Sequence, residues 1–116
     1  MSYLLYLHSF SADAKRKKPV SPMGLSAVVL DAWAPRFKKL KASKWLETLK
    51  EETFTLDAPH VAKLHEDLTA LFELTAPKLA CKPGEQDEFV QTLEEELREP
   101  VEQAAKKKLG LYGLWT

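Results

Sequence analysis

Between Pro59 and Pro77 the chain carries one uninterrupted helical stripe, and the rest of the fold has to cover it. Val61, Leu64, Leu68, Leu71, Phe72 and Thr75 recur at the spacing of a single helix face. Asp57 stands where an N-cap belongs, and Pro59 falls in the first turn, where a missing N–H costs nothing. Pro77 ends the pattern. A stripe this wide must be buried against a second apolar layer.

One candidate for that layer is the stretch from about Glu85 to Leu109. Phe89, Val90, Leu93, Leu97, Val101 and Ala104 share one arc of the wheel, and the phase survives Pro100. The spacing predicts one kinked helix or two nearly collinear ones. Its first turn is acidic and its last basic, as the helix dipole favours, and Gly110 stands as the C-cap. A further helix is predicted from Ser21-Pro22, with Leu25, Val28, Val29, Ala32 and Trp33 on its apolar face and Pro35 at its end. A short helix is predicted over about 44–52.

The other layer is extended chain. Tyr3-Leu-Leu-Tyr-Leu-His8 reads as a strand, and Thr53-Phe-Thr-Leu56 and the apolar tail Leu111–Trp115 are candidates to pair with it. A second copy of the chain is another candidate, which makes a homodimer one expectation. Residues 9–21 are polar and basic and read as a loop, the segment expected to be most mobile. The predicted fold class is therefore α+β and predominantly helical. It has four or so helices, a short N-terminal strand and a small sheet or strand pair. At 116 residues the chain is expected to form a single domain, 1–116. The core is predicted to hold Leu5, Leu7, Val29, Trp33, Leu64, Leu68, Leu71, Phe72, Leu93, Leu97 and Val101.

Charge separates the two halves. Residues 1–50 hold ten Lys and Arg against three Asp and Glu, a net of +7; residues 51–116 hold seven against fourteen, a net of −7. The halves can attract each other within one fold, or each can face a partner. The basic half contains Lys15, Arg16, Lys17 and Lys18 in a run, and Arg36, Lys38, Lys39 and Lys41 interleaved with Phe37 near Trp33. Cations and aromatic rings in this mixture suit phosphates and bases, so these eight residues are the candidate nucleic-acid-binding set. On the acidic half, Glu88, Glu95, Glu99 and Glu102 fall within about 60° of one another on a uniform wheel, a row about 20 Å long. They are the candidate partner-binding set, suited to a protein with a basic surface.

Catalytic signals are missing. The three histidines are His8, His60 and His65, and the i,i+5 spacing of the last two places them on different helix faces. Cys81 has no second cysteine to pair with and suits a reducing compartment. No Gly-x-Ser-x-Gly elbow and no phosphate-cradling glycine loop can be drawn from four glycines. No catalytic residue, metal or cofactor is expected. No apolar run of membrane-spanning length and no leader with a basic start is present, so a cytoplasmic protein without a membrane partner is expected.

The opening Met1-Ser-Tyr-Leu-Leu-Tyr-Leu-His8, followed by a loop and a helix near Ser21-Pro22, resembles small bacterial proteins that begin Met-Ser-Tyr-x-Leu-Tyr. Some of these are immunity proteins that neutralise a cognate toxin. The resemblance spans about the first 30 residues and carries over no functional residue. Together these features point to a non-enzymatic protein-binding module, with an immunity-type inhibitor as its sharpest form. Nucleic-acid binding through the basic half is the alternative, and a small enzyme without a recognisable motif a further one.

Overall fold

The computed structural model describes residues 4–11, 17–35, 43–75, 79 and 82–116. Its strands are β1 (Leu4–Phe10), β2 (Lys18–Pro19), β3 (Leu25–Ser26), β4 (Thr53–Leu56) and β5 (Gly110–Trp115). Its helices are α1 (Ala27–Trp33), α2 (Ser43–Lys50) and α3 (Ala58–Thr75), then a last composite helix. That helix runs from α4 (Gln86–Leu93) through a π segment (Glu94–Arg98) into α5 (Glu99–Lys106), with a 3₁₀ turn, Pro83–Glu85, before it. The fold is α+β and predominantly helical, as the periodicities predict.

The sheet is antiparallel in the order β2-β1-β5-β4, with β3 pairing the other end of β1. The C-terminal tail is the main partner of the N-terminal strand, from Leu5 opposite Trp115 to Phe10 opposite Gly110. β4 pairs with β5 and not with β1. Strand pleating sends alternate residues to opposite faces. Leu5, Leu7, Phe54, Leu111 and Trp115 face inward and join one core with Val29, Trp33, Leu49, Val61, Leu64, Leu68, Leu71, Leu93, Leu97 and Val101. Of the predicted core, only Phe72 lies at its margin, partly buried.

Three local expectations are corrected. The stretch 9–21 is not all loop: β1 runs on to Phe10, burying Ser9, and Lys18–Pro19 returns beside it. Its centre, 12–16, lies outside the described residues, and with it the expectation of mobility. The helix predicted from Ser21 begins instead at Ala27, capped by the Ser26 hydroxyl, which accepts the Val28 N–H. Leu25 belongs to β3, opposite Leu5, and Val28 is 64% exposed. The Ser21 hydroxyl accepts the Leu7 N–H at 3.0 Å, and the Met23 and Gly24 N–H groups both go to the Glu96 carboxylate. Those donors are therefore taken by tertiary partners, and Gly24 has a φ of +89°, outside any right-handed helix. Finally, Lys108 and not Gly110 takes the left-handed position after α5, with the Leu109 N–H closing on the Ala104 carbonyl at 2.8 Å. Gly110 starts β5, where a Cβ would stand 2.4 Å from the Phe10 ring.

The kink expected at Pro100 takes the form of the π segment. Proline has no N–H for the carbonyl four residues back, which is that of Glu96. The chain widens its turn, with the Glu99 N–H bonding to the Glu94 carbonyl. The Glu96 carbonyl accepts the Ser21 hydroxyl at 3.4 Å. The Glu96 side chain, 5% exposed, accepts the Met23 N–H at 2.8 Å and the Gly24 N–H at 2.9 Å. One residue thus ties the last helix to the turn that leads into β3.

Candidate functional site

The clearest charged concavity lies between the C-terminal half of α3 and α4. It encloses about 690 Å³ and is lined by Phe72, Glu73, Gln86, Asp87, Val90, Gln91 and Glu94. Trp33 meets the Phe72 ring edge-on, with centroids 6.3 Å apart, and the Arg98 guanidinium stands 5.7 Å from the centre of the same ring. Phe72 and Val90 are apolar and partly buried, and the carboxylates of Glu73, Asp87 and Glu94 surround them. Among the described residues, Glu94 alone of the three has an ion-pair partner, Arg98 at 2.5 Å.

The acidic row expected from the wheel lies partly beside this groove. Glu88, Glu95 and Glu99 are exposed, and Glu95 accepts a hydrogen bond from Gln91 at 3.0 Å. Glu88 and Glu95 are the chain neighbours of the groove residues Asp87 and Glu94. The π segment breaks the uniform 100° step on which the row was drawn, offsetting Glu99 and Glu102 from the first two. Glu102 sits between Arg98 at 3.2 Å and Lys106 at 3.0 Å. Lys106 first, and Arg98 after it, hold its carboxyl below the usual glutamate range. Arg98, hydrogen-bonded to Glu94, is held above the usual arginine value. Glu102 is thus a paired charge, and Glu73, Asp87, Glu88, Glu95 and Glu99 form no ion pair among the described residues.

Of the basic set, Lys15, Arg16, Arg36, Lys38, Lys39 and Lys41 lie outside the described residues, as does Cys81. Lys17 and Lys18 are exposed. The Lys17 Nζ stands 3.9 Å from the centre of the Tyr112 ring. That contact marks a second surface, the sheet face turned away from the core. Tyr6, His8 and Phe10 occupy it on β1 and Tyr112 on β5, directly opposite His8, all partly exposed. The His8 and Tyr112 ring centres are 6.0 Å apart. The Nδ1 of His8 is out of solvent contact and has no hydrogen-bond partner among the described residues.

A third hollow of about 440 Å³ is lined by Ala27, Leu30, Asp31, Lys50, Glu52 and Trp115, with Asp31 and Lys50 paired at 3.0 Å. Among the described residues, no three His, Cys, Asp or Glu side chains gather as metal ligands, and no helix is long and apolar enough to cross a membrane.

Sequence reasoning missed both surfaces as surfaces. The apolar arc of α3 predicts a core position for Phe72. Its position at the margin, with Glu73 beside it, depends on where α4 crosses. The aromatic face had a signal, the alternation of Tyr6, His8 and Phe10, but only pairing with β5 adds Tyr112. No protein-family model, no curated protein and no solved structure matches the chain.

Proposed function

We propose that the protein is a non-enzymatic protein-binding module that receives a basic segment of its partner in the α3–α4 groove. The immunity-type inhibitor is its sharpest form. One observation carries the reading: an apolar floor of Phe72 and Val90 beneath the carboxylates of Glu73, Asp87 and Glu94. Apolar contact supplies affinity in a groove, and a surrounding field of one sign speeds encounter and rejects acidic competitors. Glu88 and Glu95 extend that field along the last helix. The resemblance of the first residues to small bacterial proteins, some of them immunity proteins, agrees with this reading. An inhibitor needs no catalytic constellation, only a surface that occludes another protein's site. Toxins acting on nucleic acid carry cationic clefts, because their substrate is polyanionic.

The test compares two baits in cross-linked pull-downs from the source cells: the wild-type chain and a Glu73→Lys, Asp87→Lys double variant. Both positions are exposed, so the fold is expected to survive, which circular dichroism checks. The reading expects a basic partner retained by the first bait and lost from the second. Identical captures by both baits would remove the groove from the account.

A further inference from the structure

We propose that the outer face of the sheet is a platform for single-stranded nucleic acid, with a base stacked on Tyr112 and a phosphate held by Lys17. This site is separate from the α3–α4 groove and does not rest on the reading given for it.

Three observations carry the proposal. First, strand alternation and register bring four rings to one surface on two hydrogen-bonded strands. They are Tyr6, His8 and Phe10 on β1 and Tyr112 on β5. Rings on adjacent strands of a sheet are spaced to receive successive unstacked bases, and stacking is indifferent to base identity.

Second, the charge on this face fits a polyanion. Its remaining described strand positions include Leu4, Leu114, Thr53 and Thr55, none of them a carboxylate, and Lys17 reaches this face over Tyr112. The groove carboxylates Glu73, Asp87 and Glu94 lie in the helical layer. A single strand thus meets the Lys17 ammonium and no carboxylate at the described strand positions of this face. This complementarity selects nucleic acid over a basic protein or a second copy of the chain.

Third, the Tyr112 ring is already occupied in the way a base would occupy it. The Lys17 ammonium lies over it at 3.9 Å. An exposed cation–π contact of this kind is weak and easily exchanged. A base that takes the ring face releases Lys17 to a phosphate one nucleotide away, so stacking and charge neutralisation occur together. The His8 Nδ1 beside this ring is a desolvated polar atom with no described partner, a feature that asks for an explanation beyond packing.

The experiment is fluorescence anisotropy with labelled oligo-U and oligo-dT of about 12 nucleotides, a length within the usual site sizes. A duplex of equal length serves as the comparison. The expected result is binding of the single strands at low salt, weaker binding of the duplex, and affinity that falls as salt rises. Tyr112→Ala should weaken binding about tenfold or more, while Tyr112→Phe, which keeps the ring, should bind like wild type. A Lys17→Ala variant should bind more weakly and with a shallower salt dependence. Glu73→Lys with Asp87→Lys, on the other surface, should not abolish binding, and so separates this proposal from the groove. Absence of binding at low salt overturns the proposal. So does equal affinity for duplex, or binding unchanged in both the Tyr112→Ala and the Lys17→Ala variants. Light scattering that shows a dimer lost on Tyr112→Ala would assign the face to a second copy of the chain and overturn it as well.

Discussion

Gly113 illustrates how a single position can be fixed by a neighbour that the local sequence does not name. It lies opposite Phe54 in the β4–β5 pair, and a Cβ built there would stand 2.2 Å from the Phe54 ring. The ring fills the space that the glycine leaves over the strand. Gly113→Ala should therefore destabilise the fold by about 1–3 kcal/mol, the range for overpacking, as a lower urea midpoint. An unchanged midpoint would show that the ring moves aside freely. Glu96 is the other position of this kind. Removing its carboxylate in Glu96→Ala leaves the Met23 and Gly24 N–H groups without their partner, at a cost of about 2–5 kcal/mol. Glu96→Gln keeps one acceptor oxygen and should cost clearly less. Equal losses in the two variants would mean that packing, not the hydrogen bonds, dominates there. In the sequence Glu96 is one of three consecutive glutamates, and nothing local distinguishes it from Glu94 and Glu95. Its burial follows from a contact with a turn 72 residues away.

Among the elements, the stripe of α3 and the strand at 53–56 were legible because each satisfies one periodicity over its whole length. Asp57 caps α3 as its position predicts, its carboxylate accepting the His60 N–H at 3.1 Å. The start of α1 was not legible. Leu25 keeps helical spacing with Val28 and Val29, yet its backbone pairs with Leu5 in the sheet. Ser21, the expected cap, serves β1 instead, and Ser26 serves α1. Ser26→Ala should thus cost about 1 kcal/mol through the lost cap, seen as a lower thermal midpoint. No loss in Ser26→Ala would return the helix start to an earlier residue. The last helix shows the same division. Its apolar arc was readable through Pro100, but the π segment was not, because a uniform wheel has no means of representing a wider turn. The groove was therefore not legible: none of Glu88, Glu95, Glu99 and Glu102 lines it, and Phe72 and Val90 read only as members of two apolar arcs.

For the whole molecule, the acidic half of the chain holds fourteen carboxylates, seven of them between Asp87 and Glu102 on α4, the π segment and α5. Two of these carboxyls sit below their usual range for identifiable reasons. Asp57 is lowered by hydrogen bonds from the His60 ring and backbone, and Glu102 by Lys106 and then Arg98. A carboxyl lowered in the folded state binds its proton more readily when unfolded. Its contribution to stability is therefore complete above the unfolded value, about 3.9 for Asp and 4.3 for Glu, and is lost as pH falls through the lower folded value. Stability should be level down to about pH 5 and decline below it. Both groups lie on accessible helix ends, so the decline is modest and screened by salt. Urea titrations from neutral pH to about pH 3 test this, and Glu102→Gln should shallow the acid limb while leaving that of Asp57 in place. Raised salt should shallow it further. A midpoint that rises on acidification would reverse the sign, and would mean that repulsion among the groove carboxylates outweighs the pairs at the helix ends.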